Sequence, residues 1–360
     1  MTERIRLVVL YGGRSAEHEV SRVSGSYVAE CARAAGLDVD LVGITRDGRW
    51  VRPPAQMPDQ GGAGGALPTL GDDLPTVSAD RALERRSGES LVVFPVLHGP
   101  FGEDGTVQGL CEMAGVPYVG PGVLSSAVCM DKPTSKRLLA AAGLPVARHV
   151  TLVAGSLGKW DPSNLLAELG SPVFVKPANL GSSVGVAKVR TAVELAGALE
   201  VAAGYDDRLL VEEFMAGREI EVAVLGNEQL RASQPGEIVP GGEFYDYADK
   251  YHNDTASLFA PADLPTEAIA EVQQLAVAAG QACSVEGLAR VDFFYDEAAV
   301  EPRRRFVVSE INTIPGFTPI SMYPRLWAVS GLDGPQLIAE LVRLALDRHH
   351  RRAAHTRTER

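Results

Sequence analysis

Two short apolar runs, Ile5-Arg-Leu-Val-Val-Leu10 and Leu91-Val-Val-Phe-Pro-Val-Leu97, commit this chain to a layered α/β arrangement. After the first, a turn at Gly12-Gly13 leads into a helical pattern over roughly Glu17 to Ala35, and a further apolar run follows from Val39 to Ile44. Strand, helix and strand in that order are the signature of βαβ units on a parallel sheet. The second run opens into His98-Gly-Pro-Phe-Gly-Glu-Asp-Gly105, a polar loop at the carboxyl end of a strand, where open α/β sheets bind ligands.

Composition narrows the function classes. At 360 residues the chain exceeds one ordinary domain, and 46% hydrophobic with 22% charged residues is the balance of a soluble globular protein. No apolar run reaches the ~18 residues of a membrane span, and the first strand begins too early for a secretory signal, so a cytoplasmic protein with no membrane partner is expected. Cys31, Cys111, Cys129 and Cys283 form no CxxC pair, which argues against zinc and against a disulfide framework. A formal charge of −12 disfavours nucleic acid and turns attention to small molecules. Two stretches read as irregular: Met57 to Ser90, rich in Gly, Pro, Asp and Ser, and a basic tail over 348–360, expected to be solvated and disordered.

Chemistry concentrates in three later segments. Arg290-Val-Asp292 and Glu310-Ile-Asn312 lie in strand-like runs, where alternation places Arg290 with Asp292, and Glu310 with Asn312, on one face each. Two carboxylates and an amide are oxygen-rich ligands of the kind that suits Mg²⁺ bound to substrate phosphates. Lys176 closes the run Val173-Phe-Val-Lys176 immediately before Gly181-Ser-Ser-Val-Gly185, and Val186 to Val189 returns as a strand. A cation beside a glycine-rich loop of free N–H groups can hold a triphosphate, and the strand-loop-strand context makes a lid. The P-loop pattern is missing because Gly158-Lys159 is followed by Trp160, and Gly12-Gly13 lacks a GxGxxG continuation. Val211-Glu-Glu-Phe-Met215 and Gly217-Arg-Glu219 combine an apolar edge with acids, as an adenine slot and a ribose diol require. Singly, each segment has a plainer reading as a solvated strand face, an ordinary hairpin turn or a charged surface strand.

Taken together and in order, Gly12-Gly-Arg-Ser-Ala-Glu-His-Glu-Val-Ser21, Leu97 to Gly105, Met130-Asp-Lys132, Val175-Lys-Pro177 with Gly181 to Gly185, Glu243-Phe-Tyr-Asp-Tyr247 with Lys250-Tyr251, and Glu310-Ile-Asn-Thr-Ile-Pro-Gly-Phe-Thr318 resemble the D-alanine–D-alanine ligases of the ATP-grasp superfamily. The match runs from about residue 5 to 345. The resemblance implies an α/β (α+β) ATP-grasp fold behind an N-terminal Rossmann-like pre-ATP-grasp domain. Expected units are 1–128 (N-terminal), 129–219 (central, with the lid), 220–347 (C-terminal, with the metal site) and the tail 348–360. It further implies that Lys132, Lys176, Gly181, Ser182 and Ser183 meet ATP phosphates. Glu212, the backbone of Glu213, Phe214 and Met215, and Glu219 would hold adenine and ribose. Asp292, Glu310 and Asn312 would bind two Mg²⁺ ions, with Mn²⁺ as a substitute. Glu17, in a set with Ser182 and Tyr251, would receive the first D-alanine's ammonium; Arg290 and the Gly316 N–H would form an oxyanion site. Lys250 and Ser321 would hold the second D-alanine's carboxylate, with His98 lining the pocket. A homodimer is expected. Rival readings are a D-alanine–D-lactate ligase, against which Tyr251 speaks by resemblance, and a non-catalytic nucleotide-binding regulator, which would need the metal or phosphate positions broken.

Overall fold

Burial of both faces of β1 (Arg4–Gly12) from Arg6 onward sets the first layer. Leu7 and Val9 face one core while Val8 and Leu10 face another, as alternation on a covered parallel strand demands. The computed structural model describes residues 4–53, 65–71, 73–241, 256–301 and 304–355. In it β1 pairs in parallel with β2 (Asp38–Ile44) and β4 (Glu89–Val96), and β3 (Trp50–Val51) adds antiparallel to β2, giving the order β3-β2-β1-β4. Helix α1 (His18–Ala34) packs across β1, α2 (Ala79–Ala82) is a single turn, and α3 (Thr106–Met113) follows the loop after β4. Within Met57 to Ser90, residues 57–64 and 72 lie outside the described residues; Thr76 bridges to Val51. The run Val116 to Val119 makes one bridge, Tyr118 to Val93, rather than a strand.

Helices α4 (Val123–Met130) and α5 (Lys132–Ala141) come next, and the turn between them is held by Asp131, whose carboxylate accepts the Thr134 N–H at 2.9 Å as an N-cap. Leu139 of α5 and Cys129 of α4 are buried in the core of the last sheet, so this segment of the expected central unit packs on the C-terminal one. A four-stranded antiparallel sheet in the order β5-β8-β6-β7 is then built from β5 (His149–Val153), β6 (Val173–Pro177), β7 (Ala187–Val189) and β8 (Arg208–Glu213). Helices α6 (Pro162–Leu169) and α7 (Ala192–Ala203) cover it. A capping box starts α7: Thr191 Oγ1 accepts the Glu194 N–H while the Glu194 carboxylate accepts the Thr191 N–H.

The third sheet runs β12-β11-β9-β13-β14, with β10 pairing the end of β9 on the same edge as β11, from β9 (Arg218–Gly226), β10 (Arg231–Ala232), β11 (Gly236–Val239), β12 (Ser257–Phe259), β13 (Gly287–Tyr295) and β14 (Phe306–Asn312). Ile220, Val222 and Val224 point to the core under α8 (Thr266–Ala282), whereas Ala223 and Leu225 point to a core shared with β1, β4, α1 and the terminal helices α9 (Met322–Val329) and α10 (Gly334–His355). One apolar core therefore spans the first and last parts of the sequence.

Over residues 348–355 the expected disordered tail is corrected by α10, which continues as helix to His355, while residues 356–360 lie outside the described residues. Arg348 is buried, donates to the carbonyls of Gly120 and of Tyr118 (2.6 Å to the latter), and lies 4.3 Å over the Tyr118 ring. Arg351 and Arg352 both bind Glu286, and Arg352 also binds Glu112. The charge run that reads as solvent-loving is thus spent on capturing the end of the first domain's chain. Replacing Arg348 by Met removes two charge-assisted bonds to buried carbonyls, so a loss of about 2 to 4 kcal/mol of stability is expected in denaturant or thermal melts. A loss indistinguishable from that at the exposed Arg33 would refute the anchor.

Candidate active site

Strand pairing brings the metal candidates together. In the β13/β14 ladder Arg290 sits opposite Asn312 and Asp292 opposite Glu310, so all four side chains project from one face of the sheet. Glu221 of β9 lies opposite Asp292 and joins the group. Arg290 grips Asp292 with two bonds of 2.7 and 2.8 Å and reaches Glu221 at 3.1 Å; Asn312 donates to Asp292 at 2.9 Å. Burial acts against the Arg290 cation, but Asp292 and Glu221 outweigh it and fix it in the charged form. Among the described residues no cluster of three or more carboxylate, imidazole or thiol side chains can enclose a metal. Asp292, Glu310 and Asn312 supply hard oxygen donors of the chemistry that suits a divalent cation.

Three lysines face this group. Lys132, at the first turn of α5, donates its ammonium to the Leu180 carbonyl in the lid and its N–H to the Ala178 carbonyl at 3.1 Å. Burial depresses its pKa, resisted by Glu310 and reinforced by Lys176. Lys176, from β6, pairs with Glu212 at 3.1 Å; burial works to depress it too, yet Glu212 and Glu310 prevail and raise it. Lys136 meets the other Glu212 oxygen at 3.0 Å. Desolvation would push the Glu212 carboxyl up, but the two ammoniums hold it at about 2. Glu219, the second residue of β9, feels Lys176 electrostatically.

The linker after β8 is braced from outside. The Glu213 carboxylate accepts the Arg148 N–H and guanidinium, both at 2.7 Å, and a bond from Arg304, so only its backbone can face a ligand. Phe214 carries Lys188 over its ring at 4.3 Å, and Met215 sulfur accepts from Arg304 at 3.4 Å.

The lid reaches the N-terminal unit. Ser182 and Ser183 adopt φ of 51° and 58°, left-handed values that cost serine energy and turn the loop sharply. Ser182 donates its hydroxyl to Glu17 at the start of α1, and a Cβ on Gly181 would stand 3.4 Å from the same carboxylate. Behind Glu17, His98 is fixed by the Ile314 carbonyl at 3.0 Å and by Ser24 at 3.2 Å. The carbonyl fixes the Nδ1–H tautomer, leaving Nε2 to accept the Ser24 hydroxyl. Glu103 approaches His98 at 3.6 Å; burial, with Glu17 adding and His98 opposing, pushes its carboxyl up to about 7. Gly316 lies against Ser321, whose Oγ accepts the Thr318 N–H at 3.0 Å; a Cβ at Gly316 would come within 2.8 Å of that oxygen. Lys250 and Tyr251 lie outside the described residues.

Lys136, Glu103 and Glu221 are members of this constellation that sequence reasoning missed. The available signal for Lys136 was its spacing of four from Lys132, which puts both on one helix face. For Glu221 it was the spacing of two from Glu219 on a strand.

Comparison with known proteins converges on the same chemistry. The family described as D-ala D-ala ligase N-terminus matches residues 6–121, and that described as D-ala D-ala ligase C-terminus matches residues 138–343. The chain is 44% identical to D-alanine–D-alanine ligase A of Chromobacterium violaceum, with 96% of each chain covered. It is 46% identical to the D-alanine–D-alanine ligase of Pseudarthrobacter chlorophenolicus, covering 95% of this chain and 94% of that one. Among solved structures, the D-alanine–D-alanine ligase of Coxiella burnetii superposes with a TM-score of 0.80 at 38% identity, covering 98% of this chain and 97% of that one. The VanG D-Ala:D-Ser ligase of Enterococcus faecalis also gives 0.80, at 35% identity over 95% and 99% of the two chains. The three-sheet architecture is the ATP-grasp fold with its N-terminal Rossmann-like domain. The chain belongs to the D-alanine–D-alanine ligase family.

Proposed function

We propose that the protein joins two D-alanines in an ATP-dependent reaction through an acyl phosphate, supplying the dipeptide for peptidoglycan precursors, in the cytoplasm and as a homodimer. The observation that carries this reading is the Ser182 to Glu17 contact, which sets a carboxylate suited to an ammonium directly under the loop suited to phosphates. An amino acid bound there presents its own carboxylate to a nucleotide held by the lid.

In this reading Glu212 accepts the adenine amino group, the Glu213 to Met215 backbone flanks the base, and Glu219 takes the ribose. Lys132, Lys176 and the 181–185 loop hold the phosphates. Asp292, Glu310 and Asn312 would hold two Mg²⁺ ions, which when bound offset phosphate charge. The carboxylate oxygen of the first D-alanine bonds to the γ-phosphorus as the bond to ADP breaks. The neutral amine of the second D-alanine, its carboxylate held by Lys250 and Ser321, then attacks the acyl carbon. Arg290 and the Gly316 N–H stabilise the oxyanion, and as the C–O bond to phosphate breaks the proton lost from the attacking nitrogen leaves on the released phosphate. Water would hydrolyse the acyl phosphate, so a closed lid is chemically required.

Phosphate release from ATP should depend on D-alanine and Mg²⁺ and should be weak with L-alanine; release unaffected by omitting D-alanine would sink the reading. Product analysis with D-alanine plus D-serine or D-lactate separates dipeptide from depsipeptide synthesis. Glu17→Gln keeps an acceptor for Ser182 but removes the ammonium's counter-charge. It should raise the first-site KM for D-alanine by about 10- to 100-fold with the KM for ATP little changed, the loss expected for one charged hydrogen bond. Equal rises in both would point to lid damage instead.

Glu103 gives a pH signature. Its folded pKa of about 7 stands above the ordinary 4.5, so the folded state holds the proton more tightly than the unfolded one. Stability therefore falls as pH rises from about 4.5 through 7, and the loss is complete above that. Glu103→Gln should melt higher than the parent at pH 8 by several degrees more than any difference at pH 5; a difference independent of pH would contradict the assignment.

A further inference from the structure

Lys136 is 1% exposed, and its ammonium donates to Glu212 at 3.0 Å and to the Ser309 carbonyl at 3.1 Å. Those two acceptors belong to different sheets: Glu212 to β8, and Ser309 to β14, immediately before Glu310. Desolvating an ammonium is costly, and Glu212 already has Lys176 on its other oxygen, so neutralising that carboxylate does not require a second lysine. The two lysines differ in what else they can reach. Lys176 ends β6 at the root of the lid and has to serve phosphates when a nucleotide binds; Lys136 is enclosed and touches protein groups. Once Lys176 turns to phosphate, only Lys136 remains to keep Glu212 an acceptor.

We propose that Lys136 is a positioning residue for nucleotide selection: it holds Glu212 ionised and aimed at the purine amino group while Lys176 serves phosphate, and it ties that carboxylate to the strand bearing Glu310. This rests on the reading of Glu212 as the adenine acceptor. An ionised carboxylate accepts hydrogen bonds and donates none, so it favours a 6-amino purine and repels a 6-oxo one. Loss of Lys136 blunts that choice.

The test uses the full-length enzyme with Lys136→Met, Glu212→Gln and the double variant, measuring KM for ATP and D-alanine and the ratio of kcat/KM for ATP over ITP. Lys136→Met should raise the KM for ATP about tenfold, move the KM for D-alanine less than about twofold, and narrow the ATP to ITP ratio about tenfold. In the Glu212→Gln background the same change should add less than about twofold, because the group it positions is gone. Additive effects, or equal rises in both KM values, would mean a merely structural lysine and overturn the proposal. If Glu212→Gln alone leaves ATP binding and the ratio unchanged, the Glu212 reading fails and the proposal with it. If Glu212→Gln acts and Lys136→Met does not, the proposal alone fails. Should Lys136→Met not fold, Lys136→Gln keeps a neutral donor at that depth and should narrow the ratio severalfold; an unchanged ratio overturns the proposal.

Discussion

The opposition of Asp292 with Glu310 and of Arg290 with Asn312, next to a register shift at Ser309 that keeps both Val308 and Ile311 on the core side, leaves β14 one usable register. A slip of one residue would send Glu310 and Asn312 into the core under α8, where Val308 and Ile311 now pack, and would turn those apolar side chains toward the charged face. The hydrophobic pattern and the chemistry are therefore enforced together: burying the right residues automatically gathers two acids, an amide and a guanidinium. Everything that the lysines, the lid and the nucleotide linker do is arranged relative to that face.

The gathered charges stabilise one another only because they alternate in sign. Arg290 lies between Asp292 and Glu221, and Glu212 between Lys136 and Lys176. In a low-dielectric interior each ion alone would be expelled or neutralised; as interleaved pairs they stay ionised. Glu103 shows the opposite outcome. Burial, with Glu17 adding negative charge, outweighs the help from His98, and its carboxyl is pushed up to about 7. The same burial thus fixes one carboxylate as a permanent anion and leaves another close to the protonation boundary.

Much of this was legible in the sequence. Apolar runs gave β1, β4 and β6, and the spacing of two in Arg290/Asp292 and Glu310/Asn312 placed each pair on a face, because strand periodicity is local information. The pairing of Glu213 with Arg148 and Arg304 was not legible, since it joins residues 65 and 91 positions apart. Nor was the burial of Arg348: composition sees a basic stretch, whereas only the packed molecule shows two carbonyls waiting for it. The helix Val123–Met130 was overlooked because its residues are mostly small and apolar and carry little amphipathic contrast. Lys136 escaped for a different reason. Its role depends on two strands that meet only after the central and last sheets come together.

The core that unites Leu7, Val9 and Phe94 with Leu337, Ile338 and Leu341 has a bearing on how the chain is born. A ribosome releases β1, α1 and β4 long before α10, so during synthesis this side of the nascent first sheet is covered by α1 but still lacks the terminal helices that complete its core. That side is sealed only when the final helix emerges and Arg348 docks behind Tyr118. Vectorial folding of the first domain is consequently left unfinished until translation is nearly over, and a chain truncated before Gly334 would present to chaperones and proteases a sheet that has lost its last wall.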